Sequence, residues 1–409
     1  MRGAFRPALG VLTAIGGFVD ISNLVTSGVT GARFGMTLTW AIVLGTGAMI
    51  LYGEMAGRLA AIARRPVFHV VRERLGVRTG LANLAAVEAL SLLTVAAEIG
   101  GVAFVLELLT GVNYLVWVPV AGLVTGLIVW RLPFSGLENI FGLLGLTLIV
   151  FVVALFVLPT DWGALWHGAT HPWVPRGEGH PAYFFYAISL VGSCVIPYQV
   201  IFFSSGGREE HWTRERLTEM RTNVLVGFSL GGVLSVAIMA AVAVALRPRG
   251  IQVEHLSQVA LPAAEALGRV GAVLALVGFG AATLAAAAVS ALSTGYGVAQ
   301  YFGWPWGKDR RFAEAPRFHL ATLSGVAVAT AMLLTTVNPL TITILSVVLG
   351  AAAVPLTYFP LMVVVNDRAY MGEHVNPGWL NALGSLLMLA MVVITLVAVP
   401  LLLLTGGGS

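Results

Sequence analysis

Polar positions are so rare along this chain that the gaps between them define its architecture. Apolar residues run in blocks, and about 20 of them cross a bilayer as a helix. On that measure eleven spans are predicted, over 8–32, 35–57, 81–109, 113–130, 137–158, 182–204, 222–246, 268–301, 317–336, 340–365 and 380–404. Two of them are interrupted. In the first, Gly16-Gly17-Phe18-Val19-Asp20-Ile21-Ser22-Asn23 puts a carboxylate into the apolar run from Leu9 to Thr30. A charge there costs ~2.5–3.5 kcal/mol on insertion scales and survives where it faces a cavity or a ligand. The glycines and the Ser-Asn pair are poor helix formers, so an unwound segment is predicted at 20–23. In the sixth, Gly192-Ser193-Cys194-Val195-Ile196-Pro197-Tyr198-Gln199 carries a proline that removes an amide donor and clashes with the preceding turn. A second unwound segment is predicted at 193–198.

Interrupted spans at corresponding places in two halves point to the substrate site of an inverted-repeat transporter. The predicted fold is an all-α membrane protein, one transmembrane domain over 1–409. Two five-span repeats, about 8–158 and 182–365, are followed by an extra helix at about 380–404. Breaks free backbone carbonyls, which need an ion, water or protein donors.

Composition and charge narrow the class. Only 10% of residues are charged, where a soluble domain carries about 25%. The single cysteine, Cys194, excludes an internal disulfide framework and a Cys-rich zinc site. Of the 23 Lys and Arg, 18 fall in loops on one side of the predicted topology, among them Arg58, Arg72, Arg216 and Lys308. That bias puts the N-terminus in the cytoplasm and the C-terminus outside. The net charge of +4 is therefore a topology signal, and no nucleic-acid partner is expected. Arg2 and Arg6 before the first run resemble a signal peptide, but the run's length and Asp20 mark a retained span. No Ser-His-Asp, zinc or nucleotide motif appears, so neither an enzyme activity nor a cofactor is expected.

The remaining polar residues at membrane depth are few. Glu54 and Arg58 are spaced as an intrahelical pair. Glu88 and Glu98 lie ten apart, within about 80° of each other around a helix, and could serve a proton or ion pathway or structural hydrogen bonding. Glu138 is read as a charge at the start of the fifth span. The 159–181 connection carries three tryptophans with His167, His171 and His180. It reads as an interfacial aromatic belt in preference to a metal site.

Taken together, the residues resemble the Nramp transporters of divalent metals, within the LeuT-like fold. Asp20-Ile21-Ser22-Asn23 stands where that family has Asp-Pro-Gly-Asn. Gly31-Ala32-Arg33-Phe34-Gly35, Trp40, Ala56-Gly57-Arg58-Leu59 and the Met371-Gly372-Glu373-His374-Val375-Asn376 loop are similar to further family motifs. The resemblance implies a metal held by Asp20, Asn23, the Ser193 carbonyl and the position of Ile196. It also implies a substrate-site lining from Ile21, Cys194, Pro197, Tyr198, Gln199, Ser346 and Val347, and a proton or ion pathway through Glu88 and Glu98. Three departures fall in that site. Ile196-Pro197-Tyr198 replaces Met-Pro-His, Val347 replaces a glutamine after Ser346, and Val95 replaces an aspartate implicated in proton transfer.

A site of oxygen ligands without a thioether suits hard ions such as Mg²⁺ or Mn²⁺. The expectation is secondary-active transport of such cations by alternating access, with weak or absent proton coupling, in a prokaryotic-type plasma membrane. The expected partners are the cation, protons at most weakly, and the lipid bilayer, and a monomer is compatible with the single domain. Two other readings stay open. The fold could carry a small organic solute, with half-helix N-termini binding its carboxylate and Gln199 or Tyr198 hydrogen-bonding it. It could also be a sensor that binds an ion without moving it.

Overall fold

The computed structural model describes residues 18–175, 178–335 and 339–405, and helices are the regular structure found among those residues, with no strand. The first helix, α1 (Ile21–Phe34), ends where Gly35 takes a positive φ of 67° and donates its N–H to the Gly31 carbonyl. Then come α2 (Thr39–Ala63), a short α3 (Val67–Leu75), α4 (Val77–Thr110) and α5 (Tyr114–Arg131). The fifth span is α6 (Phe134–Gly145) joined by a 3₁₀ turn to α7 (Ile149–Val157), and α8 (Trp162–Thr170) lies in the following connection. The sixth span is two half-helices, α9 (His180–Cys194) and α10 (Pro197–Glu209). The remainder comprises α11 (Leu217–Ala245), α12 (Leu256–Phe302), α13 (Pro316–Leu334), α14 (Pro339–Val365), the single turn α15 (Arg368–Met371) and α16 (Gly378–Thr405). Inside α12, Gly268 leaves helical geometry at φ 61°, so the eighth span proper starts there, as predicted.

These helices pack as two groups of four. One contains α1, α2, the α9–α10 pair and α11; the other contains α4, α5, α12 and α13. In each group the second pair of spans comes five spans after the first, the spacing that an internal repeat of five produces. The α6–α7 pair and α14 lie across both groups. Close approach is bought with small residues: a Cβ on Gly31 would sit 2.3 Å from the Met239 carbonyl oxygen, so α1 and α11 touch backbone to backbone.

Both predicted breaks are present, and both are narrower than predicted. At the first, only Val19 and Asp20 are non-helical; Ile21–Asn23 already form the first turn of α1. The reason is capping. Asp20 is extended at the N-cap and its Oδ1 accepts the Asn23 N–H at 2.8 Å, so the Ser-Asn pair serves a helix start instead of an unwound stretch. Gly16 and Gly17 lie outside the described residues. At the second break only Val195 and Ile196 leave the helix. Pro197 needs no donor at the first helical position and is pre-set for it, so α10 starts there at once.

Two smaller expectations also change. Glu138 is in the second turn of α6, and the charge at that helix's start is Asp309, whose Oδ1 accepts the Phe134 N–H at 2.8 Å. The Glu54–Arg58 pair forms, at 3.1 Å, but belongs to a larger clasp. Arg221 reaches Glu54 at 3.0 Å, while Arg58 also donates to the His374 carbonyl and to Asn376. The 371–376 loop is thereby fastened to the ends of α2 and α11.

Candidate substrate site between the two breaks

Each break exposes backbone groups that a continuous helix would satisfy. The carbonyl of Ser193 would pair with the N–H of residue 197, and a proline there has none. On the other side, the first N–H groups of α1 point into the protein interior. Two carboxylates meet them: Asp20 takes the Asn23 N–H, and Glu98 of α4 takes the Ile21 N–H with both oxygens, at 3.1 and 3.2 Å. Negative charge is favourable at a helix N-terminus, which carries roughly half a positive charge. Asp20 and Glu98 are both fully buried.

The second break closes onto the first. Tyr198, at the second position of α10, donates its hydroxyl to Asp20 Oδ2 at 3.4 Å. Asn23 connects to α9 through its amide nitrogen, which donates to Cys194 Sγ at 3.7 Å. Its amide oxygen accepts Ser235 Oγ of α11 at 2.6 Å and Ser27 Oγ at 3.4 Å. The Ser193 hydroxyl caps the Leu190 carbonyl at 2.9 Å and accepts from Thr26 at 3.4 Å. Ile196 turns its carbonyl toward the Tyr358 hydroxyl of α14, 3.5 Å away. All of these side chains are buried, so the polar groups face one another inside an apolar shell.

The structure thus brings together Asp20, Asn23, Ser193, Cys194, Ile196, Pro197, Tyr198 and Glu98. Gln199 is buried beside them in the first turn of α10. Other expected residues lie elsewhere. The side chain of Ile21 packs against Gly101 of α4, and only its backbone N–H belongs to the site. Ser346 is buried in α14 and bonds its own helix at the Thr343 carbonyl. The side chain of Val347 lies outside the described residues. Glu88 faces α12, where a Cβ on Gly297 would come within 2.5 Å of its Oε1, ten residues along α4 from Glu98. Four contributors were not foreseen: Ser235, Tyr358, Thr26 and Ser27. In the outer connection, His167 and His171 stack at 4.7 Å with Trp173 edge-on at 4.4 Å, and no group of three or more metal-ligating side chains exists among the described residues.

The model of the Natural resistance-associated macrophage protein-like family, Nramp, matches residues 10–400. This chain belongs to the Nramp family. It is 26% identical over 388 residues to the divalent metal cation transporter MntH of Pectobacterium carotovorum, covering 92% of this chain and 89% of that one. MntH of Yersinia enterocolitica is 25% identical over 387 residues, with 92% and 90% covered. Among solved structures, the manganese transporter of Eremococcus coleocola superposes with a TM-score of 0.74 at 19% identity, covering 96% of this chain and 85% of that one. MhsT in complex with L-phenylalanine superposes with a TM-score of 0.59 at 18% identity and 98% coverage of each. The fold is that of the LeuT-like transporters, and this Nramp chain is an integral membrane protein, not an enzyme.

Proposed function

We propose that this Nramp protein carries a hard divalent cation, Mn²⁺ or Mg²⁺, across the membrane by alternating access. The ion sits between the two breaks, with Asp20 as its charged ligand and the Asn23 amide oxygen and Ser193 carbonyl as neutral ones. One observation carries this reading: the buried carboxylate of Asp20 takes a hydrogen bond from each side, from the Asn23 N–H of the first break and from the Tyr198 hydroxyl of the second. Relatives that align with over nine-tenths of the chain bear the name divalent metal cation transporter, which supports the class of cargo.

Ligand chemistry supports the choice of ion. Ile196 has no lone pair in its side chain, and oxygen donors suit Mg²⁺ and Mn²⁺. Two soft atoms lie nearby: Cys194 Sγ, engaged by Asn23, and Met49 Sδ, 3.8 Å from the Tyr358 hydroxyl. Proton coupling is weak or absent in this reading. Val95 and Tyr198 stand where the family has an aspartate and a histidine, and Glu98 is held as a helix cap. The two repeats run over about 8–158 and 182–365. The site is assembled within one chain, so a monomer suffices, with its N-terminus cytoplasmic and its C-terminus outside.

An organic solute is the second reading, because MhsT with its bound L-phenylalanine shares the fold. The direct contact of Tyr198 with Asp20 across the breaks favours a smaller cargo. Uptake of Mn²⁺ into proteoliposomes, with Mg²⁺ and Ca²⁺ as competitors, tests the proposal. Saturable Mn²⁺ entry that Mg²⁺ slows is expected. If no divalent ion enters, the organic-solute reading takes its place.

A further inference from the structure

A second concavity lies away from the ion site. It is a groove of about 630 Å³ between α2, α7 and α11, roofed by α8. Ile42, Val43 and Gly47 of α2 form one wall, Val233 and Val236 of α11 another, and Trp162 and Trp166 the roof. The groove and the ion site share α2 and α11 as a common partition. Gly45 faces Cys194 and Ser235 faces Asn23, while Gly47 and Val233 turn the other way.

What covers this groove follows from its depth and chemistry. It runs along α2 from Thr39 to Ile50, eleven residues at about 1.5 Å each, or about 16 Å. Half of a hydrocarbon core of about 30 Å is about 15 Å. The groove is therefore about as long as one leaflet is deep, and it starts at Thr39, the first residue of the membrane-crossing α2. Its rim residues Val43, Phe156 and Val233 are 53%, 75% and 53% exposed, on helices that cross the membrane. Trp162 and Trp166 stand at the level where tryptophans meet headgroups. Water would find few partners there: apart from the two tryptophans, only Thr39, Thr46 and Ser229 among the lining residues carry polar side chains, and the Thr39 hydroxyl already donates to the Met36 carbonyl. Gly47 keeps the floor open: a Cβ there would meet nothing within 4 Å.

We propose that an acyl chain of a phospholipid, from the leaflet facing the 159–181 connection, occupies this groove as a seated lipid distinct from the bilayer that surrounds the protein. The test is to reconstitute the full chain with phosphatidylcholine carrying a diazirine in its acyl chain, irradiate, and map the adducts. A parallel sample is delipidated in detergent and the phospholipid retained per chain is counted by native mass spectrometry. Adducts should concentrate on the peptides holding Val43, Gly47 and Val233, with one phospholipid retained. Gly47→Trp, which fills open space, should remove both signals. Leu123→Trp, on a 64% exposed position of α5 outside the groove, should leave them intact. Adducts spread evenly over exposed apolar positions, or equal lipid retention by Gly47→Trp, would overturn the proposal. So would a cross-link between two copies through the groove peptides.

Discussion

At the scale of single residues, Asn23 shows how little freedom the site leaves. Its amide oxygen takes a short bond from Ser235 and a long one from Ser27, and its nitrogen is given to Cys194. An arriving cation can replace the long Ser27 contact while Ser235 keeps the amide aimed. Partners that orient a ligand are commonly worth 10–100-fold in metal affinity. Ser235→Ala should therefore weaken Mn²⁺ binding roughly tenfold, read by calorimetry, with the fold unchanged; an unaltered Kd would show that Ser235 only packs. Ile196 makes the complementary point. Exchanging it for methionine adds a polarizable thioether at nearly the same volume, so Ile196→Met should raise the ratio of Cd²⁺ to Mg²⁺ uptake. An unchanged ratio would place selectivity elsewhere. Asp20 and Pro197 were legible in the sequence because a carboxylate and a proline inside apolar runs have few structural excuses. Ser235 was not, since a serine in a membrane helix ordinarily bonds its own backbone, and this one does that too, at the Gly231 carbonyl.

At the scale of elements, the start of α1 depends on a helix 77 residues away. Glu98 supplies the acceptor for Ile21, and no neighbour in sequence could. Removing it leaves a buried N–H without a partner, at a cost of about 1–3 kcal/mol. Glu98→Ala should lower thermal stability in detergent clearly more than Glu98→Gln, which keeps an acceptor oxygen. Equal losses would mean that the cap contributes little and that Glu98 serves another purpose. The sequence revealed Glu98 as a buried polar position but not which helix it serves, because that depends on how the two groups of four pack. Element edges were blurred for a related reason. α8 is capped by Asp161, which accepts the Ala164 N–H at 2.9 Å, and it reads from sequence as loop because its nine residues are too few for a clear period.

At the scale of the whole molecule, ion and proton pathways meet or separate at the contact of the two helix groups. In the proposed site α1 and α9 carry the cation ligands, while Glu88 and Glu98 sit on α4 in the other group. Glu98 is committed to α1, and Glu88 is displaced by ten residues toward the opposite end. Metal entry should therefore proceed with little acidification of a vesicle lumen monitored by an internal pH dye. Acidification that strictly requires metal uptake would reverse that conclusion. The all-helical membrane architecture was readable from hydropathy alone, and so were the two breaks, from Asp20 and Pro197. The grouping of helices was not, because small-residue contacts such as Gly31 against Met239 are written in the sequence only as glycines.

In the proposed mechanism one carboxylate between two broken helices, Asp20, holds the cargo. Titrating Mn²⁺ into purified wild-type protein and into Asp20→Ala by calorimetry tests it most directly, with thermal unfolding of both as a control for folding. Removing Asp20 takes away the desolvation cost of a buried charge but also leaves the buried Asn23 N–H without its acceptor, so binding is compared only at temperatures where both proteins are folded. The account predicts saturable Mn²⁺ binding to the wild type and none to the folded variant. Binding of equal affinity by a folded Asp20→Ala protein would contradict it.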